Sequence, residues 1–367
     1  MSDAIRVVVC DDSRTYVQAL TRVLEADGDI DVVRSYSSAE RLLRGLVGLR
    51  PDLITMDLDL PGMDGVEATR RIMDEHPVPV VVVSALTGAG SVQAAEALAA
   101  GAVDVIHKEE IQLGATTSAV AATLRRRMRR LSRVRVTGRT GVAHVRGAAR
   151  ASARRARPAT PDAAASAARP RAAPWRPHAI HVIGIAASTG GPSALRAVLG
   201  ALPAQPAVPV LVVQHMTEGF TEGLGRWLDA TVPPPVRLAT EGAQAVPGVW
   251  LAPDRAHLVV GVGLQMHLDD RTPPDPHRPS GDMLFRSLAR DAGAGAAVAV
   301  LTGMGVDGAA GVAAVLAAGG LAIAQDAASC AVDGMPLAAV RAGAQRVLPL
   351  DEIGPALAAL PVRSRPR

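Results

Sequence analysis

The sequence predicts an α/β protein with two parallel-sheet domains that are joined by a linker. Two blocks of the chain alternate short, continuous apolar runs with helical apolar spacing, which is typical of parallel strands buried on both faces. Between the blocks lies a stretch of Ala, Arg and Pro with little apolar periodicity. We therefore predict a first domain at residues 1–125, a linker at 126–178 and a second domain at 179–362.

Composition limits the class of protein. The 367 residues allow two or three domains. The two cysteines, Cys10 and Cys330, fall in or beside apolar runs, which predicts buried thiols rather than a disulfide framework or a zinc site. The amino-terminal segment lacks a signal-peptide pattern, and no apolar run of about 18 residues is free of charges and breakers. We expect a cytoplasmic protein without membrane insertion.

The first domain is predicted to contain five strands. The runs IRVVVC, DLITMD, PVPVVVVSA and VDVIHK are continuous apolar strands, and a shorter strand is predicted at 30–33. Helical spacing follows each of the first four strands, for example at 66–73 and around 94–100. This order predicts a parallel sheet covered by helices on both faces.

Polar side chains lie at the carboxyl ends of these strands, where open α/β sheets bind ligands. The residues are Asp11, Asp12, Asp57, Ser84 and Lys108. Three converging carboxylates repel one another unless a hard divalent cation joins them, and their oxygens suit Mg²⁺. A hydroxyl and an ammonium group would complete a pocket for a phosphoryl group. An acidic pair alone usually indicates a solvated loop, and a single lysine usually indicates a surface charge. Five polar residues at successive strand ends instead favour a ligand-binding site.

The linker is rich in arginine, which raises the possibility of nucleic-acid binding. Apart from Trp175, no aromatic residue interleaves with the arginines, and no groove-reading helix pattern follows. Such a composition cannot offset its ordering entropy by burial, so we predict a solvated tether. Contact between the linker and an acidic partner, or a larger array of partner proteins, stays open.

The second domain opens with HVIGIAASTGGPSALRAVL, residues 181–199, which predicts a strand, a tight turn and a helix. Glycines permit close backbone approach, and Pro192 suits a first helical turn. Ser188 therefore lies near exposed N–H groups at a helix amino terminus, as an acyl-transfer nucleophile requires. A phosphate-binding loop and a simple turn are alternatives for this stretch.

Two further strands of the second domain end in candidates for a catalytic triad. PVLVVQHM ends at His215, and Asp307 lies in the glycine-rich turn after AVAVL. A serine nucleophile needs a base, and that base needs an orienting carboxylate. The order Ser, His, Asp differs from the Ser, Asp, His order of α/β-hydrolases. Other histidines (His257, His267 and His277) could compete, and Asp307 could be an Asx turn.

The first domain resembles the receiver domain of bacterial response regulators, with MDLDLPGMDG close to that family's phosphorylation segment. The resemblance implies a flavodoxin-like five-stranded fold and Asp57 as the phospho-acceptor. It implies Mg²⁺ ligation by Asp11, Asp12 and Asp57 with help from the Asp59 carbonyl. Ser84 and Lys108 would sense the phosphoryl group.

This chain departs from the receiver pattern at two positions. Glu109 follows the lysine where receivers usually have Pro, and Val105 replaces the switch aromatic of the last strand. We expect the phosphorylation chemistry to survive both changes. The route by which the signal leaves the domain is less defined by the sequence.

The second domain resembles the chemotaxis protein-glutamate methylesterases, the CheB family, in ASTGG, VVQHM, HRPS, LTGMGVDGAAG and AQDAASCAVDGMP. The resemblance implies hydrolysis of γ-glutamyl methyl esters, and deamidation of glutamines, on methyl-accepting chemoreceptors. Ser188 would be the nucleophile, His215 the general base and acid, and Asp307 its orienter. The backbone at Met304 and Thr189 would stabilise the oxyanion. Many members have Gly where this chain has Ala186.

The resemblance also implies partners and cofactors. A chemotaxis histidine kinase would be the phosphodonor, Mg²⁺ would serve the receiver, and the esterase reaction would need no cofactor. We expect a monomer without specific nucleic-acid binding. Two rival functions stay open: a phosphorylation-dependent scaffold that binds receptors without hydrolysis, and a DNA-binding response regulator. Release of methanol from methylated receptors would distinguish a hydrolase from the scaffold. The lack of a helix-turn-helix pattern argues against the DNA-binding regulator.

Overall fold

The computed structural model describes residues 4–85, 88–109, 116–134, 136, 179–271 and 277–362. These residues form two α/β units with parallel main sheets, which confirms the predicted fold class. Most of the predicted linker, residues 137–178 with Trp175, lies outside the described residues. Within the described ranges, no helix combines the length and apolar character needed to cross a bilayer.

The first unit is a five-stranded parallel sheet in the order β2-β1-β3-β4-β5. Its strands are β1 Ile5–Cys10, β2 Ile30–Tyr36, β3 Leu53–Asp57, β4 Val80–Ser84 and β5 Asp104–His107. Its described helices are α1 Arg14–Glu25, α2 Ala39–Leu49, α3 Gly65–Glu75, α4 Gly88–Ala99 and α5 Ala119–Leu131. Helices α1 and α5 cover one face of the sheet and α2, α3 and α4 the other.

One strand of the first unit extends past its predicted end, and one helix crosses the predicted domain boundary. Strand β2 continues to Tyr36 rather than ending at residue 33. Helix α5 ends at Leu131, past the predicted domain boundary at 125, because Met128 and Leu131 are buried in the core of this unit. The buried Arg125 also pairs with Asp27 at 2.7 Å. The arginine-rich start of the predicted linker is therefore the last turn of a packed helix.

The second unit contains a seven-stranded parallel sheet in the order β14-β13-β12-β6-β7-β9-β8. Its strands are β6 Val182–Ala187, β7 Pro209–Gln214, β8 Val236–Leu238, β9 Gly248–Leu251, β12 Ala296–Val300, β13 Leu321–Gln325 and β14 Arg346–Leu348. An antiparallel hairpin, β10 His257–Val260 with β11 Met266–Asp269, lies beside the sheet. The helices are α6 Gly191–Gly200, α7 Thr221–Thr231, α8 Gly281–Ala292, α9 Ala309–Ala317, α10 Gly334–Arg341 and α11 Leu350–Ala358.

Strand order explains where the site forms in each unit. In the first sheet, the order reverses between β1 and β3, and in the second it reverses around β6, which has β12 and β7 as neighbours. Ligands of open α/β sheets bind at such points, beyond the carboxyl ends of the strands. The residues that follow β6, β7 and β12 are therefore brought together.

The two units pack against each other through α4, α7 and the loop after β7. Phe220, from the second unit, is fully buried in the apolar core of the first unit and meets the His107 ring edge-on, with 6.3 Å between ring centroids. Ala95 of α4 is buried in the core of the second unit. The Ser193 hydroxyl donates a hydrogen bond of 2.9 Å to the Leu98 carbonyl.

Both cysteines are buried and unbridged, as predicted. Burial, and then the neighbouring acidic residues, raise the pKa of each thiol to about 12. Thiolate chemistry is therefore disfavoured at both positions.

Candidate active site

Ser188 follows β6 at the tight turn that leads into α6. Gly190 adopts φ +75° at the start of this helix, a conformation that favours glycine. The Ser188 N–H donates to the Thr302 carbonyl at 3.0 Å, and the Ser188 carbonyl accepts from Gln214 Nε2 at 2.8 Å. These bonds tie the serine to the strands on either side, so its position is set by the sheet.

Gly303 has no side chain, and this leaves room for Ser188. A Cβ atom at this position would lie 2.8 Å from Ser188 Cβ and 2.4 Å from the sulfur of Met335. Any larger residue here would displace one of these neighbours.

His215 and Asp307 form a buried pair next to Ser188. His215 Nε2 lies 2.7 Å from Asp307 Oδ2, and the two side chains are 7% and 5% exposed. Asp307 also accepts hydrogen bonds from the N–H groups of Gly281 and Asp282 and from the Ser280 hydroxyl, at 2.6, 2.9 and 2.9 Å. The carboxylate therefore lies at the amino terminus of α8, where the helix dipole favours negative charge.

Burial alone acts to raise the pKa of Asp307. The hydrogen bond and charge of His215, together with the N–H groups of Asp282 and Gly281, outweigh burial and hold the pKa well below its ordinary value. Asp307 is thus a carboxylate across the physiological range. It can hold the imidazole in one orientation and stabilise an imidazolium.

The lowered pKa of Asp307 predicts a pH-dependent contribution to stability. A carboxylate that is more acidic in the folded state stabilises the fold fully above its unfolded pKa of about 4, and this stabilisation is lost as pH falls toward the folded pKa. We expect the difference in free energy of unfolding between the wild type and Asp307→Asn to be smaller at pH 3 than at pH 7. Urea unfolding at the two pH values measures it. An equal difference at both values would contradict the assignment.

The second ring nitrogen of His215 is left open, because the bond to Asp307 uses Nε2. Nδ1 is buried and has no hydrogen-bond partner, so no bond to Ser188 is formed in this arrangement. Ser188, Thr189, His215, His277 and Met304 line one cavity of about 300 Å³. The bond between a nucleophile and its base commonly tightens only when substrate binds.

The oxyanion residues predicted from the resemblance line the same cavity. Within the described residues, the N–H groups of Thr189 and Met304 donate to no protein acceptor. Free backbone donors beside a nucleophile are the groups that stabilise a developing oxyanion.

The positions of the other histidines show which of them could act on Ser188. His257 and His267 lie on the β10–β11 hairpin, and neither lines the cavity. His277 stacks on His215, with centroids 4.3 Å apart and planes at 14°. His215 therefore combines an acidic partner, Asp307, with a position in the same cavity as Ser188.

Ala186, the departure from the family pattern, packs against the element that holds Asp307. A Cβ atom at Gly281 would lie only 2.8 Å from the Ala186 methyl carbon. Glycine at 281 therefore accommodates the methyl group of Ala186.

The predicted phosphorylation residues also converge. Side-chain oxygens of Asp11, Asp12 and Asp57 lie within 4.8 Å of one another. Lys108 Nζ lies 2.6 Å from Asp57 Oδ2 and 3.2 Å from Asp11 Oδ2. Three carboxylates offer the hard oxygen ligands that Mg²⁺ prefers, so the donor set fits this ion.

Burial and neighbouring charges shift the pKa values of the groups at this site. Burial and then the Asp57 carboxylate raise the pKa of Asp11. Burial acts to lower the pKa of Lys108, but the hydrogen bond and charge of Asp57 raise it overall. Ser84 lies at the end of the neighbouring strand β4, and its hydroxyl donates to the Ala85 carbonyl at 3.2 Å. It is not hydrogen-bonded to Asp57 in this arrangement.

A hydrogen-bond cluster joins the receiver to the loop after β7, and no sequence pattern predicted it. Arg127 of α5 donates to both Asp104 oxygens, at 2.6 and 2.5 Å, and to the Val105 carbonyl at 2.9 Å. Thr217, two residues after His215, accepts from Arg127 at 3.1 Å and donates to the Val105 carbonyl at 2.8 Å. The strand with the unusual Val105 is thus bonded directly to the loop of the catalytic histidine candidate.

Sequence reasoning also missed the roles of Ser280 and Gln214. Ser280 caps α8 and bonds Asp307, and a serine directly before a helical pattern is a recognisable cap signal. Gln214 is a polar residue at the end of an apolar strand and donates to the carbonyls of Ser188 and His215, both at 2.8 Å.

The fold and the site define a response regulator whose second unit carries a serine–histidine–aspartate arrangement. A family model described as response regulator receiver domain matches residues 7–121, and one described as CheB methylesterase matches residues 183–357. The chain belongs to the protein-glutamate methylesterase/protein-glutamine glutaminase family.

Similar proteins cover nearly the whole chain. Protein-glutamate methylesterase/protein-glutamine glutaminase 2 of Rhizobium johnstonii is 38% identical over 96% of this chain and 97% of its own length. The corresponding protein 3 of Anaeromyxobacter dehalogenans is 42% identical over 96% of this chain and 98% of its own. The crystal structure of the Thermotoga maritima CheB methylesterase catalytic domain is 35% identical, with a TM-score of 0.48 over 50% of this chain and 100% of that one.

Proposed function

We propose that this protein is a phosphorylation-regulated serine hydrolase that removes methyl groups from γ-glutamyl methyl esters of chemoreceptors. The observation that carries the proposal is the placement of Ser188 and His215 in one cavity, with Asp307 bonded to Nε2 of the imidazole. The names of the similar proteins support the same substrate class. The rival scaffold function has no use for this arrangement.

The proposed reaction begins with attack of the Ser188 hydroxyl oxygen on the ester carbonyl. His215 accepts the hydroxyl proton at Nδ1, because Nε2 is bonded to Asp307. The imidazolium is stabilised by the Asp307 carboxylate and then protonates the departing methoxide, which leaves as methanol. Water, activated by the same imidazole, releases the glutamate side chain.

Charge on the carbonyl oxygen would be stabilised by the N–H groups of Thr189 and Met304. Each such donor contributes about 10²–10³ in rate. The same steps on a glutamine side chain release ammonia instead of methanol, which would give the glutaminase activity named for the similar proteins.

The receiver would accept a phosphoryl group at Asp57 from a histidine kinase. Asp11, Asp12 and Asp57, with the Asp59 carbonyl, would hold Mg²⁺, which when bound neutralises charge on the transferred group. Lys108 would meet a phosphoryl oxygen through its ammonium group, and Ser84 would donate its hydroxyl.

Regulation would follow from the position of helix α5. Arg126, Arg127 and Arg130 of this receiver helix line the cavity that holds Ser188. A receptor helix, about 10–12 Å across with its side chains, needs this space to present an ester. We infer that the unphosphorylated receiver covers the cleft and that phosphorylation at Asp57 moves it away.

Weakening the contact between the receiver and the second unit should raise the rate of ester hydrolysis by the unphosphorylated protein. Thr217→Val keeps the shape of the side chain but removes its hydrogen bonds to Val105 and Arg127. Because one such bond contributes about 1 kcal/mol, we expect the basal rate of ester hydrolysis to rise about fivefold. Thr15→Val, at an exposed threonine of α1, is the matched control and should leave the basal rate unchanged. A basal rate that does not rise in Thr217→Val would contradict the covering role of this contact.

The proposal includes a monomeric protein that works in the cytoplasm, since the family resemblance implies substrate segments on cytoplasmic receptor helices. The test uses membranes that carry methylated chemoreceptors, incubated with the full chain, and measures released methanol. Receptor binding without methanol release would favour the scaffold function instead.

A further inference from the structure

Two arginines of the receiver line the ester cavity without an acidic partner. Arg126 and Arg130 lie one turn apart on α5, are exposed, and form no ion pair with any described residue. Arg127, between them, is held by both oxygens of Asp104. Like charges at this spacing on a helix destabilise it slightly unless an anion lies between them.

The opposite wall of the cavity also presents unfilled polar positions. The N–H groups of Thr189 and Met304 are free of protein acceptors among the described residues, and His215 Nδ1 is buried without a partner. A protonated His215 ring would add a third donor. Asp104 is the one acidic residue on the described cavity wall, and Arg127 neutralises it.

We propose that the closed arrangement of the two units forms a binding site for a small dicarboxylate. One carboxylate meets the N–H groups of Thr189 and Met304, and the other lies between Arg126 and Arg130. The cavity of about 300 Å³ is at the lower end of ligand pockets, which suits an anion of this size. This inference rests on the proposed function and deepens it, because such an anion would occupy the catalytic cavity while the receiver covers it.

The site depends on the receiver, because both arginines belong to α5. A carboxylate that binds there favours the closed arrangement. By linkage, anything that moves the receiver away must weaken carboxylate binding by the same factor. A small free dicarboxylate would therefore oppose activation, while an uncharged molecule of the same length would not.

Calorimetric titration of the full chain with glutarate at low ionic strength tests the site directly. We expect binding of glutarate and none of pentane-1,5-diol, which has the same chain length without charge. Arg126→Gln combined with Arg130→Gln should weaken binding about tenfold, because two charge pairs are lost. Arg346→Gln, at an exposed arginine of β14 outside the cavity, is the matched control and should bind as the wild type does.

Beryllofluoride with Mg²⁺, which mimics the phosphoryl group, should weaken glutarate binding in the wild type and leave it unchanged in Asp57→Asn. Equal binding by the double arginine variant and the wild type, binding of the diol as tight as that of glutarate, or no binding by the wild type would overturn the proposal. Titration needs no turnover, and loss of turnover in Ser188→Ala tests the proposed function separately. The two proposals can therefore fail independently.

Discussion

Replacing Ser188 with alanine is expected to lower kcat for methyl ester hydrolysis by about 10⁵–10⁶-fold, the loss seen when a triad nucleophile is removed. Without the hydroxyl, no acyl-enzyme can form, and water must attack the ester directly. The free N–H groups of Thr189 and Met304 stay in place, so a small residual rate should survive. The rate of methanol release from methylated receptor membranes measures the effect.

The control for this variant is a measurement showing that the protein still folds. Ser188 is only partly buried, and its N–H and carbonyl make the bonds that hold the turn. Alanine preserves both groups, so thermal unfolding and phosphoryl uptake at Asp57 should match the wild type. Retention of more than about a hundredth of the wild-type kcat would rule out Ser188 as the nucleophile, since triad knockouts cost far more.

Replacing Asp307 with asparagine should lower kcat by about 10⁴-fold. The carboxylate accepts four hydrogen bonds, from His215, Ser280, Gly281 and Asp282. An amide turns one of the two accepting oxygens into a donor that faces other donors. His215 then loses the partner that fixes its orientation and stabilises its charged form.

The same variant should be less stable at neutral pH, by about 1–3 kcal/mol, because at least one buried donor loses its acceptor. Asp351→Asn, at an exposed position in the first turn of α11, is the control and should change neither kcat nor stability measurably. If Asp307→Asn kept kcat within about tenfold of the wild type, Asp307 would not be the third member of a triad.

The residues at strand ends could be predicted from the sequence because parallel sheets bring such ends together. Ser188, His215 and Asp307 each follow a continuous apolar run, and strand order alone makes those runs neighbours. The same logic brings Asp11 and Asp57 to one edge of the first sheet. A local sequence pattern is therefore sufficient to predict a site when its residues all lie at the carboxyl ends of strands in one parallel sheet.

The contacts between the units could not be predicted in this way. The bonds of Thr217 with Val105 and Arg127 depend on how two separate sheets pack, which no periodicity encodes. The end of α5 bears on the domain boundary predicted at 125. Its arginines resemble a linker in composition, whereas the buried Met128 and Leu131 make it a core helix.

Val105 illustrates how the structure changes the interpretation of a sequence departure. The missing switch aromatic leaves a buried valine whose carbonyl accepts from both Arg127 and Thr217. An aromatic side chain is supplied to the same region by Phe220 of the second unit, which packs on His107. The receiver surface is thus completed by the domain that it would regulate.

The most direct test of phosphorylation-gated hydrolysis at Ser188 is the rate of methanol release by the full chain from methylated receptor membranes, with and without a phosphodonor and Mg²⁺. The rate should rise with phosphodonor in the wild type, stay at the basal level in Asp57→Asn, and be negligible in Ser188→Ala under either condition. A rate that is the same with and without phosphodonor in the wild type, or that rises equally in Asp57→Asn, would contradict the account.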